Sequence, residues 1–158
     1  SVGHIGSAML RRVVVDTNVW ISALINPQGP PAQMLQGLKR NAFEPMLSQP
    51  LLDELLEVAR RPRLRRRYRL KDEEIERLAA LLRDKSVWVE PSGELHLCRD
   101  PDDDVILETA LLGRAEYMVT RDDDLKRDLE LIRKMEEQGV QVLSVRQFLK
   151  LLEKPRED

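Results

Sequence analysis

Apolar and polar positions divide the chain into short strands that alternate with amphipathic helices. Val13, Val14 and Val15 form an unbroken β-branched run, so residues 12–16 read as a strand buried on both faces. Helical spacing follows from Val19 to Leu24 and is stopped by Pro27, Gly29, Pro30 and Pro31. Pro31 suits the first position of a second helix, whose apolar side is Met34, Leu35 and Leu38. Residues 43–47 predict a second strand. Ser48 is placed to cap a helix with Pro50 in its first turn, running to about Arg60. Asp72 is placed to cap another, with Ile75, Leu78, Ala79 and Leu82 on one face. Residues 87–89, 117–120 and 140–143 read as the remaining strands. Asp100 and Pro101 open a helix to Leu112, a helical stretch begins near Asp123, and Ser144 caps a closing helix over 145–152.

Short strands that are apolar on both faces and alternate with helices predict an α/β fold with a mostly parallel sheet covered by helices. With no internal repeat or low-complexity linker, residues 9–158 read as one domain. Residues 1–8 are small and glycine-containing and read as a tag remnant or disordered lead. In open parallel sheets, sites form beyond the carboxyl ends of strands where the strand order reverses.

Composition narrows the function. At 42% hydrophobic residues the chain can build a core. No apolar run approaches the roughly 18 residues of a membrane span. The best candidate, 105–112, is broken by Glu108, so no membrane role is expected. One cysteine, Cys98, excludes an internal disulfide and a cysteine-rich zinc site, and fits a reduced, cytoplasmic setting. His4 and His96 match no metal-ligand spacing. Chemistry is therefore sought among the acids.

Charge is abundant at 34% and nearly balanced at a net of −2, but it is segregated along the chain. Asp100, Asp102, Asp103 and Asp104 form one acidic knot, and Asp122, Asp123 and Asp124 another. Asp16 ends the first strand, Asp103 lies in the first turn of the helix from Pro101, and Asp122 follows the strand ending at Thr120. A fourth acid is expected from the helix carrying Asp53, Glu54 and Glu57. Leu51, Leu52, Leu55, Val58 and Ala59 make its buried stripe; Glu57 points away, while Asp53 and Glu54 flank it. Asp103 shares a helix face with Ile106, Leu107 and Ala110, whereas Asp104 turns toward Glu108 and Leu111. Two carboxylates about 4 Å apart repel by roughly 4 kcal/mol at an effective dielectric near 20. Four gathered acids therefore need protons, arginines or a cation. Oxygen ligands without histidine or cysteine select Mg²⁺ or Mn²⁺ over zinc.

These residues also carry a family resemblance. The run from Val13 to Asn18 resembles the opening motif of PIN domains. Asp53-Glu54-Leu55 with Arg61-Pro62, and Asp100 to Asp104 with Leu107-Glu108, resemble the second and third motifs of a subgroup described as toxin components. Tyr117 to Leu125 resembles the fourth. The four motifs occur in order and span most of residues 12–150. The resemblance implies a three-layer α/β/α sandwich and a Mg²⁺- or Mn²⁺-dependent endoribonuclease that cleaves single-stranded RNA. Its carboxylates would be Asp16, Glu54, Asp103 and Asp122, with Asn18, Thr120, Asp104 and Asp124 as supporting polar positions. It further implies a small antitoxin partner, as for VapC-type toxins, and a homodimer.

Seven arginines between residues 60 and 69 form a basic block. Arg65, Arg66 and Arg67 could follow an RNA backbone, with Tyr68 available for stacking. The same block could be a solvated helix end paired to acids, or a dock for an acidic partner. Two other functions remain open on the residues: a catalytically silent RNA- or protein-binding module, and another Mg²⁺-dependent phosphate hydrolase. Asn18, two positions after Asp16, stands where a haloacid-dehalogenase-like phosphatase would need a second aspartate.

Overall fold

The fold was analysed in a computed structural model, which describes residues 10–155. The lead expected over residues 1–8, with His4, lies outside them. Five parallel strands form the sheet: β1 (Arg12–Val15), β2 (Glu44–Leu47), β3 (Val87–Trp88), β4 (Tyr117–Thr120) and β5 (Gln141–Ser144), in the order β3-β2-β1-β4-β5. Val13, Val14 and Val15 are buried, as β-branched residues covered on both faces should be. Val13, Val14 and Val15 register against Tyr117, Met118 and Val119.

Eight α-helices accompany the sheet among the described residues: α1 (Thr17–Ile25), α2 (Pro30–Lys39), α3 (Gln49–Ala59), α4 (Pro62–Tyr68), α5 (Asp72–Lys85), α6 (Pro101–Leu112), α7 (Leu129–Glu137) and α8 (Val145–Leu152). One group packs through α1–α2, α2–α5 and α2–α8 contacts; α6 packs on α7 and on β1 and β2. The sheet between them makes the α/β sandwich. Phe43 and Phe148 meet edge to face with ring centroids 5.4 Å apart, joining the start of β2 to α8.

Helix starts follow local chemistry. Ser48 accepts a hydrogen bond from the Leu51 N–H, and its hydroxyl lies 2.7 Å from that of Thr109, which donates to the Val105 carbonyl. Both side chains are buried, so this chain of hydroxyls ties α3 to α6. Ser144 forms a reciprocal capping box with Gln147.

Three local expectations change. The basic block forms a separate helix, α4, because Pro62 restarts the backbone after α3 ends at Ala59. Lys71 occupies the cap of α5, placing Asp72 at its first helical position. The stretch after β4 splits into a 3₁₀ turn, Asp122–Lys126, and then α7.

Candidate active site

The strand order reverses between β1 and β4: β1 continues to β2 on one side, and β4 leads to β5 on the other. The carboxyl end of β1 therefore opens at the crevice where parallel sheets place their sites. A cavity of about 210 Å³ lies here, lined by Asp16, Glu54, Asp103 and Asp128 among other residues.

Asp16 caps α1. Its carboxylate accepts the Asn18 N–H at 3.3 Å and the Thr120 hydroxyl at 3.0 Å, while its own N–H reaches the Val119 carbonyl. Burial raises its pKa; the two hydrogen bonds oppose that rise, and Asp124 adds to it. Glu54 reaches the cavity from the middle of α3, accepting the buried Thr17 hydroxyl at 2.9 Å. Desolvation pushes it up to about 7 against that hydrogen bond. Asp103, in the first turn of α6, is pushed up to about 6, chiefly by burial and then by Asp100, Asp128 and Asp16. Asp128, at the cap of α7, is also raised, first by burial and then by Asp124. These carboxylates raise one another's proton affinity, as acids gathered in a partly desolvated cavity do.

Asp104 and Asp103 take different roles. Asp104 is buried away from the cavity, where Oδ1 accepts both the Leu97 and Cys98 N–H groups at 2.9 Å. Helical phase alone had turned it toward Glu108 and Leu111; the loop before α6 covers it because it satisfies that loop's backbone. Asp122 does not line the cavity: it is exposed and pairs with Arg146 at 3.2 Å. The 3₁₀ turn instead buries Asp124, which is held by Arg121 Nε at 3.1 Å and by the Asn18 amide at 3.4 Å. Thus Thr120 touches Asp16 at the cavity, and Asn18 touches Asp124 behind it. Asp128 was missed in the sequence. The signal was there: an acid at the start of an amphipathic helix, the same placement that singles out the acids of α6.

Of the basic block, Arg61 lines the cavity and pairs with Glu57 at 3.0 Å. Arg60 pairs with Glu76, and Arg65 with Asp72 at 2.8 Å. Arg66 and Arg67 are exposed, with Arg67 stacked over Tyr68 at 5.3 Å. Cys98 is half-buried; burial, and then the neighbouring Asp104, pushes its thiol up to about 12, which disfavours the thiolate.

The donor set fits a hard divalent ion: carboxylates only, partly desolvated, on three helix starts and the middle of α3. Among the described residues, no three His, Cys, Asp or Glu side chains are gathered tightly enough to clasp an ion as they stand.

A parallel α/β sandwich with an acid-lined crevice at its strand reversal places the chain among the open-sheet α/β proteins whose sites lie at that reversal. Comparison with known proteins makes this specific: residues 12–124 match the PIN domain, and the chain belongs to that family. It is also 31% identical over 145 residues to the uncharacterized protein MJ1680 of Methanocaldococcus jannaschii, covering 90% of this chain and 92% of that one. PIN domains are generally nucleases, so the fold is of nuclease type and its chemistry that of a hydrolase. No helix among the described residues is long and apolar enough to cross a membrane.

Proposed function

We propose that this chain is an endoribonuclease that hydrolyses RNA phosphodiesters with Mg²⁺ or Mn²⁺. The observation that carries the reading is the convergence of Asp16, Glu54 and Asp103 on one cavity, each with its proton affinity raised by burial. The three carboxylates would hold the ion, with Asp128 as a fourth donor in place of Asp122. A bound divalent ion polarises a phosphoryl oxygen and lowers the pKa of water. Glu54, poised near neutrality, is suited to orient an attacking water and accept its proton. Thr17 fixes the orientation of Glu54, and Thr120 and Asn18 fix that of Asp16. Arg66, Arg67 and Tyr68 are available to the strand beyond the cavity; Arg61 at the cavity wall and Arg65 would contribute only by leaving Glu57 and Asp72.

Asp16→Asn tests the reading. Cleavage of an unstructured RNA should fall by about 10²–10³-fold, the scale of losing one preorganised electrostatic contact. EDTA should abolish wild-type cleavage, and the variant should remain folded by circular dichroism. Undiminished cleavage in a folded Asp16→Asn protein removes the mechanism.

The spread of the carboxylates supports a second reading, a silent PIN-fold binding module. That reading requires RNA or protein binding without EDTA-sensitive cleavage. The motif resemblance supports a further assignment, the toxin half of a toxin–antitoxin pair acting in the cytoplasm as a homodimer. Growth arrest on expression, relieved by a co-expressed neighbouring gene, and a dimer mass in solution test those parts separately.

A further inference from the structure

An acid-lined cavity repels the polyanion it is proposed to cut, so substrate must be held by cations beside it. Several of the arginines are already neutralised: Arg60 by Glu76, Arg61 by Glu57, Arg65 by Asp72, Arg121 by Asp124 and Arg146 by Asp122. A second groove, of about 360 Å³, is formed by Arg99, Leu129, Glu130 and Arg133. It adjoins the acidic cavity through the chain itself: Arg99 precedes Asp100, and Leu129 and Glu130 lie between Asp128 and Leu131, all three of which line the cavity. Arg99 has a side chain 95% exposed and only a 3.8 Å pairing with Glu130, while Arg133 is exposed with no ion pair among the described residues. Between them Leu129 is 64% exposed, the most open of the large hydrophobic side chains among the described residues.

The geometry points to this groove as a nucleotide subsite: Arg99 and Arg133 bind the RNA phosphate next to the one being cut, and Leu129 meets the face of its base. The inference rests on the ribonuclease reading and adds a second contact surface to it. Its volume is at the small end of ligand sites, suited to about one nucleotide. Helix α6 packs on both α3 and α7, so the groove lies at the α7 wall, while Arg61, at the start of the basic helix α4, lines the cavity beside Glu57 and Val58 of α3. An RNA strand would then cross the acidic cavity with cations on either side. Glu130 anchors the Arg99 N–H at 2.8 Å, so the loop is held by its backbone and the Arg99 side chain is free to change partner.

The test uses a fluorescent single-stranded RNA of about ten nucleotides, with Ca²⁺ as the added ion, titrated by anisotropy across a salt series. The double variant Arg99→Glu/Arg133→Glu should bind at least about tenfold more weakly. Its slope of log affinity against log salt should drop by about 0.7, one single-strand phosphate's worth. Leu129→Ala should lose a few-fold in affinity with an unchanged slope. Thermal stability should hold and divalent-ion affinity should not fall, because none of the three side chains supports the core or the acids. Wild-type affinity and slope in the folded double variant overturn the subsite, as does a variant that keeps RNA binding but loses self-association, which assigns the groove to a protein interface. A wild-type chain that neither binds nor cleaves the RNA overturns the ribonuclease reading itself.

Discussion

Divalent-ion binding should depend on pH far more steeply than ordinary carboxylates allow. A ligand must be deprotonated to bind, so each protonated acid reduces apparent affinity by its protonated fraction. With Glu54 near about 7 and Asp103 near about 6, the combined penalty at about pH 5 is roughly a thousandfold relative to about pH 8. At their ordinary values of 4.5 and 3.8, the same acids would cost less than about twofold. Both groups are partly open to water, and screening trims the expected loss to at least about thirtyfold. The sign for stability is opposite in the ion-free protein. Acids with raised folded-state pKa values favour the folded state most at low pH, below their unfolded values. That contribution disappears as pH rises through about 6 to 7. Mn²⁺ should therefore stabilise most where the ion-free site is most strained. At a hundred times its Kd the gain is about 2.7 kcal/mol, a Tm increase of roughly 5–10 °C for a chain of this size. Calorimetric titration with Mn²⁺ at several pH values, alongside thermal melts with and without the ion, measures both effects. An affinity that changes less than about threefold between about pH 5 and pH 8 refutes the argument that these carboxylates are desolvated together.

Three further outcomes follow from individual contacts. Thr17→Val removes the hydroxyl that stabilises ionised Glu54, so the acid limb of the cleavage profile should move to higher pH and the rate near neutrality fall by about tenfold; an unmoved profile separates Glu54 from the rate. Asp104→Ala leaves the Leu97 and Cys98 N–H groups without their acceptor and should cost about 2–4 kcal/mol, read as a lower denaturant midpoint, while Mn²⁺ affinity stays within about threefold. A comparable loss of ion affinity would mean that Asp104, not Asp103, serves the cavity. Gly113→Ala should destabilise by about 1–3 kcal/mol in the same assay, because the added Cβ would lie 2.5 Å from Met46 Sδ and 2.6 Å from its Cγ. Helix propensity and unfolded-state entropy alone predict the opposite sign there.

Periodicity alone determined the alternation of helices and strands. Three adjacent β-branched valines favour a strand covered on both sides, and Ser48, Pro50, Asp100, Pro101 and Ser144 mark helix starts through local hydrogen bonding and fixed φ. Asp16 was legible for the same reason, since it stands at the point where a buried strand meets a helix. Helical phase placed Asp103 on an inward face and left Glu54, like Asp53, at the flank of a buried stripe; their arrival in one cavity is a tertiary result that no local pattern encodes. Choosing among neighbouring acids was also left to the fold. In a run such as Asp122-Asp123-Asp124, each residue has the same chemistry, and a 3₁₀ turn decides which one faces Arg146 and which is buried against Arg121. Likewise Asp104 is buried because a loop seven residues earlier in the chain brings its N–H groups to it. Local sequence sets backbone preference and the side on which a group emerges; which charges meet is set by the folded backbone, through a turn for Arg121 and Asp124 and through packing of distant segments for Arg146 and Asp122.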